Sequence, residues 1–239
     1  LKTTPQGVVL DPQKRNGIWQ RFDGKSAQCT TEMRLVNGEM AGAFKKFYPD
    51  GKLLKEGSQY GESREGTWKT YFPNGQLQKH SEYEGNKPTG RYEEWNEDGA
   101  RVVEGEYKQG NKYGTWNYYQ KDGKTPSKEE TYNDAGERHG RYRNWWPDGQ
   151  LCNEGNYAHG KNDGTWTHWT GGVKDSEVHY RAGVMVGKYR TWHPNGKPYV
   201  EGQYDDKGNK IGIWKKWDKD GSLKSETDHS EEGEQPDEG

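Results

Sequence analysis

The chain has 239 residues, of which only 27% are hydrophobic, and its mean hydropathy is −1.47. Such values are typical of disordered chains, yet the net charge is only −2 and 11 Trp, 16 Tyr and 4 Phe are present, which disordered chains lack. Lys and Arg are interspersed with Glu and Asp, which argues against nucleic-acid binding, and no segment approaches the ~20 apolar residues of a membrane helix.

Residues 1–16 form an N-terminal lead-in that precedes any repeated pattern. The sequence starts with Leu1 rather than Met, which we interpret as the mark of a processed or trimmed form. Both an exported location, in the periplasm or on the cell surface, and a cytoplasmic one therefore stay open.

From Gly17 onward one phrase recurs nine times, at intervals of 23–26 residues: a glycine, any residue, an aromatic residue, two further residues and a second aromatic residue. A fixed period of this length is typical of a repeat array, in which each unit buries surface only against its neighbours. The first aromatics are Trp19, Phe44, Trp68, Tyr92, Trp116, Tyr142, Trp166, Tyr189 and Trp214, and the second are Phe22, Phe47, Tyr71, Trp95, Tyr119, Trp145, Trp169, Trp192 and Trp217.

The third unit, from Gly66 to Gly85, illustrates the structure that each repeat predicts. Residues 67–72 are rich in β-formers, Asn74-Gly75 predicts a tight turn, and residues 77–83 return as a second strand. A looser polar turn then leads to the next unit. We therefore predict an all-β fold over residues 17–225, an elongated single-layer antiparallel β-hairpin array (a solenoid or meander) of about nine repeats of ~24 residues.

The two aromatics of each phrase lie three residues apart, so in a strand they point to opposite faces of the sheet. One ring per repeat is expected to pack on the neighbouring hairpin, and the other to lie on a more exposed face beneath Lys and Arg stems. Trp is enriched where interfaces concentrate binding energy. We predict a partner-binding row, with core packing as the alternative, at Trp95, Tyr119, Trp145, Trp169, Trp192 and Trp217.

The last segment, residues 226–239, carries seven acidic residues and no Lys or Arg, which predicts a disordered acidic tail. Docking of this tail onto the rest of the chain, which is mildly basic, is the alternative.

Nothing in the sequence predicts catalysis or metal binding. The seven histidines share no ligand-like spacing, and the calcium-like start at residues 218–222 lacks the Glu that a calcium loop needs at its twelfth position. Cys29 and Cys152 belong to distant repeats, which predicts two free thiols. We expect no catalytic residues, no cofactor and no metal.

The repeated unit, with its Asp/Asn-Gly turn and a Glu shortly before a Tyr on the return strand, closely resembles the MORN-repeat variant of bacterial proteins. The resemblance covers residues 17–225. The bacterial proteins that contain this variant include YwqK-like proteins described as antitoxins. It implies a β-hairpin array that serves as an interaction or scaffold module. A looser likeness, best at residues 116–119, is to the aromatic cell-wall-binding repeats of surface proteins.

The function expected from these features is that of a non-catalytic, protein-binding scaffold. Binding of a glycan or cell-wall polysaccharide through exposed aromatic rows is one alternative. An immunity or antitoxin protein that binds a toxin is another, and it is implied by the YwqK-like resemblance alone. We expect neither a nucleic-acid partner nor a membrane span.

Overall fold

A computed structural model describes residues 16–230, which contain eighteen β-strands and no helix. Consecutive strands within each of two compact units, divided between Lys124 and Thr125, pair in antiparallel fashion. The predicted all-β hairpin fold is confirmed. The described part of the chain accordingly offers no apolar helix of membrane-spanning length.

The first unit is a meander of nine strands, each hydrogen-bonded to the next in sequence. Its strands are β1 (Gly17–Phe22), β2 (Cys29–Val36), β3 (Glu39–Phe47), β4 (Leu53–Tyr60), β5 (Ser63–Tyr71), β6 (Leu77–Glu84), β7 (Lys87–Trp95), β8 (Arg101–Lys108) and β9 (Asn111–Tyr119).

The second unit has the same meander order. Its strands are β10 (Pro126–Tyr132), β11 (Arg138–Trp145), β12 (Leu151–Ala158), β13 (Lys161–Thr170), β14 (Val173–Arg181), β15 (Val184–Trp192), β16 (Pro198–Tyr204), β17 (Lys210–Trp217) and β18 (Leu223–Asp228).

In most repeats the two kinds of turn have exchanged the roles expected from the sequence; the exceptions are the five-residue connections at 133–137 and 205–209 and the two-residue turn at 171–172. At the Asn74-Gly75 turn, the Phe72 N–H donates to the carbonyl of Gln76 across a longer loop, at 2.8 Å. The connection between repeats is instead the tight one, because Glu84 faces Lys87 directly and only two residues intervene. Both of these, at positions 85 and 86, have positive φ angles, as a type I′ turn requires.

The opening glycine of every phrase has a positive φ angle, between +58° at Gly90 and +121° at Gly17. In eight of the nine phrases, all except the one that begins at Gly17, the reason is a bulge in the strand pair before the phrase. Between β4 and β5, Glu56 faces Lys69 but the next facing pair is Ser58 with Glu65, so one residue lies opposite three. Glycine adopts this left-handed conformation without steric cost, which explains why the phrase begins with it.

The ends of the predicted domains fall as follows. Residues 1–15 of the lead-in and residues 231–239 of the tail lie outside the described range. The boundary expected at residue 225 falls inside β18, which continues to Asp228, and Lys215 reaches Glu226 across the strand pair at 3.0 Å. Cys29 in β2 and Cys152 in β12 are both free thiols.

Candidate binding surface

The first aromatics form what we call the inner row, which is the packed row of each unit. Residues that face each other across antiparallel strands share a face of the sheet. In the first unit the residues that face one another along the inner row, one from each strand, are Trp19, Met33, Phe44, Gly57, Trp68, Ser81, Tyr92, Gly105 and Trp116. Its deepest members are nearly inaccessible, since Trp68 is 3% exposed and Trp116 only 1%.

Two neighbouring rings of the inner row and one tyrosine of the return strand between them form a cluster of three. Trp116 lies 5.2 Å from Tyr92 and 5.0 Å from Tyr107, the latter edge to face, measured between ring centroids. Such geometries are the favoured ones for aromatic pairs. The second unit repeats the cluster twice, with Tyr142, Tyr157 and Trp166, and with Tyr189, Tyr204 and Trp214.

Three of the four buried indoles, those of Trp68, Trp116 and Trp166, also donate a hydrogen bond to a backbone carbonyl, whereas Nε1 of Trp214 has no hydrogen-bond partner within the described residues. The Nε1–H of Trp116 donates to the carbonyl of Glu106 at 3.1 Å, and the Lys112 ammonium lies 4.3 Å from the ring centroid. Burial, together with a hydrogen bond to Glu94, raises the pKa of Tyr92. The four buried indoles of the inner row therefore have a structural role, whereas its other rings are half-buried.

The second aromatics form what we call the outer row, and all six residues predicted to bind a partner belong to it. Trp95 and Tyr119 lie in the first unit, and Trp145, Trp169, Trp192 and Trp217 lie in the second. All six are half-buried, in contrast to the buried indoles of the inner row. This row lies on the opposite face of each sheet, as the strand alternation predicts.

Two tyrosines of the outer row are held by glutamates on the neighbouring strand. Tyr119 donates to Oε1 of Glu104 and Tyr71 donates to Oε1 of Glu56, both at 2.6 Å. Burial, followed by the hydrogen bond to Glu56, raises the pKa of Tyr71 to about 12. These contacts orient the two rings, which are half-buried.

In the second unit, cations cover part of the outer row. The Arg143 guanidinium lies 5.1 Å from the ring centroid of Trp145, and the Lys174 ammonium lies 5.3 Å from that of Trp192. Trp and Arg together are the residue types that dominate the energetics of protein interfaces. The composition of this row thus matches a binding surface.

A ladder of charged residues, which we call the charge ladder, runs beside the outer row on the same face. It contains one residue from each of the strands β2–β18, and within each unit each residue faces the next across a strand pair. In the first unit it consists of Glu32, Lys45, Glu56, Lys69, His80, Glu93, Glu104 and Asn117. In the second it consists of Glu129, Arg143, Glu154, Thr167, Glu177, Arg190, Glu201, Lys215 and Glu226.

The charge ladder contains one like-charge pair, and an arginine neutralises it. Glu93, which is 4% exposed, directly faces Glu104. The guanidinium of Arg101 lies 2.9 Å from Glu93 and 3.0 Å from Glu104, and Arg91 adds a contact to Glu93 at 2.6 Å. The hydrogen bond to Glu93 raises the pKa of Arg101.

The segment that resembles a calcium-binding loop has a structural role instead. The calcium-like segment is a hairpin turn, in which the Gly221 N–H donates to the Asp218 carbonyl at 2.9 Å and Asp220 Oδ1 accepts from the Ser222 N–H. Within residues 16–230, no three His, Cys, Asp or Glu side chains are placed to hold a metal ion together.

A family model described as the MORN repeat variant matches five segments, at residues 40–60, 64–84, 138–159, 185–206 and 210–230. Each segment corresponds to one hairpin, and the first strand of that hairpin carries the glycine-aromatic phrase. The five matched segments are MORN-variant repeats. MORN repeats are a non-enzymatic repeat class associated with protein and membrane binding. No curated protein matches the MORN-variant chain.

Sequence reasoning missed the glycines on the return strands. Gly57, Gly105, Gly155 and Gly202 each lie beneath the indole of the next phrase, with a ring carbon 2.2–2.3 Å from where a Cβ would stand. The signal was present in the sequence. Each of these glycines stands 11 or 12 residues before the Trp that covers it. In the alternate phrases, which have Phe or Tyr instead of Trp, the facing residue on the preceding strand bears a side chain: Met33, Ser81, Glu130 or Val178.

Proposed function

We propose that this MORN-variant chain is a non-catalytic module that binds another protein through its outer row and the adjacent charge ladder. The observation that supports this most directly is the contrast between the two rows. Four inner-row indoles, Trp68, Trp116, Trp166 and Trp214, are buried, whereas the outer-row tryptophans Trp95, Trp145, Trp169, Trp192 and Trp217 are only half-buried. A partner that covers these rings gains the burial that the isolated chain lacks.

The charge ladder favours a protein over a polysaccharide as the partner. Carboxylates and cations alternate along it, for example Glu177, Arg190 and Glu201. A protein surface supplies charges of both signs and can complement such a pattern, and this complementarity determines specificity and the rate of association. Neutral sugars offer no matching charges. A toxin, as the YwqK-like resemblance implies, would be one partner of this class.

The decisive experiment compares partner capture by the wild-type chain and by outer-row variants. A photo-crosslinking amino acid at position 192 captures the partner from a lysate of the source organism, and mass spectrometry identifies it. Purified partner is then titrated against wild type and the triple variant Trp169→Ala, Trp192→Ala and Trp217→Ala. Hot-spot tryptophans each contribute about 2 kcal/mol or more, so we expect binding to fall by more than a hundredfold.

The matched control is Tyr60→Ala, because Tyr60 is a large aromatic residue, 55% exposed, that lies outside the outer row. It should leave the affinity unchanged. Equal affinity of the wild type and the triple variant, with both folded by circular dichroism, would refute the proposed surface. Retention of a purified cell-wall polysaccharide, lost in the same triple variant, would instead support the glycan alternative.

A further inference from the structure

A groove of about 510 Å³ opens on the second unit, and its lining includes inner-row rings together with Trp192 of the outer row. It is formed by β15–β18 with Asp175 of β14, and its aromatic lining residues are Tyr189, Trp192, Tyr199, Tyr204 and Trp214. Lys210, Lys215 and Lys216 also line it, against a single acidic side chain, Asp175. The groove therefore combines aromatic surface with an excess of positive charge.

Two of these lysines are not neutralised. The Lys216 ammonium lies 5.1 Å from the ring centroid of Tyr199, and that of Lys210 lies 4.4 Å from the ring of Trp214. Neither forms an ion pair with a carboxylate of residues 16–230, whereas Lys215 is paired with Glu226 at 3.0 Å. Ammonium groups held over aromatic rings in a partly enclosed groove attract carboxylates more strongly than fully exposed ones do.

The last strand brings the chain directly to this groove. Ser225, Thr227 and His229 all line it, and the His229 ring lies 6.3 Å from the ring of Trp214. The His229 N–H donates to the carbonyl of Gly212 at 2.9 Å, which fixes the backbone at this point. The next nine residues of the sequence, 231–239, contain five carboxylates and no Lys or Arg.

We propose that the acidic segment 231–239 of the same chain occupies this groove, with its carboxylates against Lys210 and Lys216. Nine residues can reach up to ~30 Å, which is ample for a groove whose wall includes His229. Because the segment is tethered beside the site, its effective concentration is on the order of millimolar, so a modest intrinsic affinity is sufficient. Trp192 of the outer row also lines the groove, so the acidic segment would lie beside the proposed partner surface.

The test uses two full-length chains and one synthetic peptide. One chain is wild type, and in the other the five acids are made neutral by Glu231→Gln, Glu232→Gln, Glu234→Gln, Asp237→Asn and Glu238→Gln. The peptide has the wild-type sequence of residues 231–239. We expect it to bind the neutralised chain about tenfold or more tightly than wild type, because in wild type the tethered segment competes for the groove.

Lysine variants of the neutralised chain locate the binding. Lys216→Gln or Lys210→Gln should weaken peptide binding, whereas Lys207→Gln, a charge loss on an exposed turn of the same unit, should not. Equal affinity of the peptide for the wild-type and neutralised chains, absence of binding to the neutralised chain, or insensitivity to both groove lysines would each overturn the proposal.

A second measurement tests whether the contact is made within one chain. The indole resonance of Trp214 should differ between the wild-type and neutralised chains at low salt, and this difference should be independent of protein concentration. A difference that disappears on dilution would show that the acidic segment of a second copy occupies the groove, which would overturn the intramolecular assignment.

Discussion

The indole of Trp116 lies flat on Gly105 of the preceding strand, so close that a Cβ at position 105 would be 2.3 Å from Cδ2 of the ring. Gly105 has no positive φ angle, unlike the opening glycines. It is required here for space rather than for backbone conformation. The strand bulge beside it frees the carbonyl of Glu106, which the same indole uses as its acceptor.

The Gly105→Ala substitution should therefore destabilise the chain by about 2 kcal/mol, because overpacking a well-filled site forces ring and backbone apart. Chemical denaturation monitored by Trp fluorescence measures this. Adding Trp116→Tyr should restore part of the loss, since the tyrosine at the equivalent place in the alternate phrase, Tyr92, tolerates a side chain, Ser81, on the facing strand.

Gly24→Ala is the matched control for this prediction. Gly24 lies in a turn, without a positive φ angle, and a Cβ there would meet no atom within 4 Å. A loss of stability in Gly24→Ala as large as that in Gly105→Ala would contradict the steric explanation.

Arg101→Gln should cost about 2 kcal/mol of stability, because it leaves the facing carboxylates of Glu93 and Glu104 without their shared cation. The comparison variant is Arg91→Gln, which removes the other contact to Glu93. Arg91 has a side chain 62% exposed, so its loss should cost less than about 1 kcal/mol. Thermal unfolding of the two variants gives the order, and the reverse order would contradict the role assigned to Arg101.

Alkaline pH should weaken the first unit through Tyr71. Its pKa is raised to about 12 in the folded chain, from an ordinary value of 10.0, so folding favours the protonated phenol. The contribution is complete below pH ~10 and is lost as the pH rises through about 12. Because the ring is half-buried and partly screened by solvent, we expect about 1 kcal/mol.

Tyr71→Phe should remove this pH-dependent part of the unfolding free energy, whereas Tyr60→Phe, at an exposed ring, should leave it in place. Tyrosinate absorbance of the wild type and of both variants supplies an independent measurement. If the titration curve of the chain were unaltered by Tyr71→Phe above pH ~10, the prediction would fail.

The two rows should differ sharply in their contribution to stability. Trp166→Ala removes a ring that is 5% exposed and contacts Tyr142 and Tyr157, so it should cost about 3–5 kcal/mol. Trp169→Ala, three residues further along the same strand, removes a half-buried ring and should cost about 1–2 kcal/mol. Equal losses in urea unfolding would mean that the outer row is also a packing row, leaving it without a separate binding role.

The architecture could be predicted from the sequence because its signals are local. Asn74-Gly75 and the alternation around Trp68 specify a hairpin without reference to any distant residue. The assignment of tight and loose turns could not be obtained this way. It depends on whether two adjacent residues, such as those at 85 and 86, adopt positive φ angles, and only one of them is a glycine.

The separation of the two rows was predicted, but which row packs was not. Strand alternation places Trp166 and Trp169 on opposite faces without saying which face is covered. The deciding element is Gly155, eleven residues before Trp166, which provides the space that the indole fills. This contact depends on a bulge between the strands. A bulge shifts the register, so a strict two-residue periodicity does not predict the contact.

The return-strand glycines recur every 47–50 residues, which is two phrases rather than one. Indole and glycine therefore alternate with a smaller ring and a facing side chain, so that neighbouring hairpins are not interchangeable. Loss of the single hairpin that carries Phe44 and Gly57 would place the Trp68 indole opposite Met33, which bears a Cβ. Loss of a whole pair of hairpins keeps every buried indole opposite a glycine, so changes in length by doublets preserve the packing.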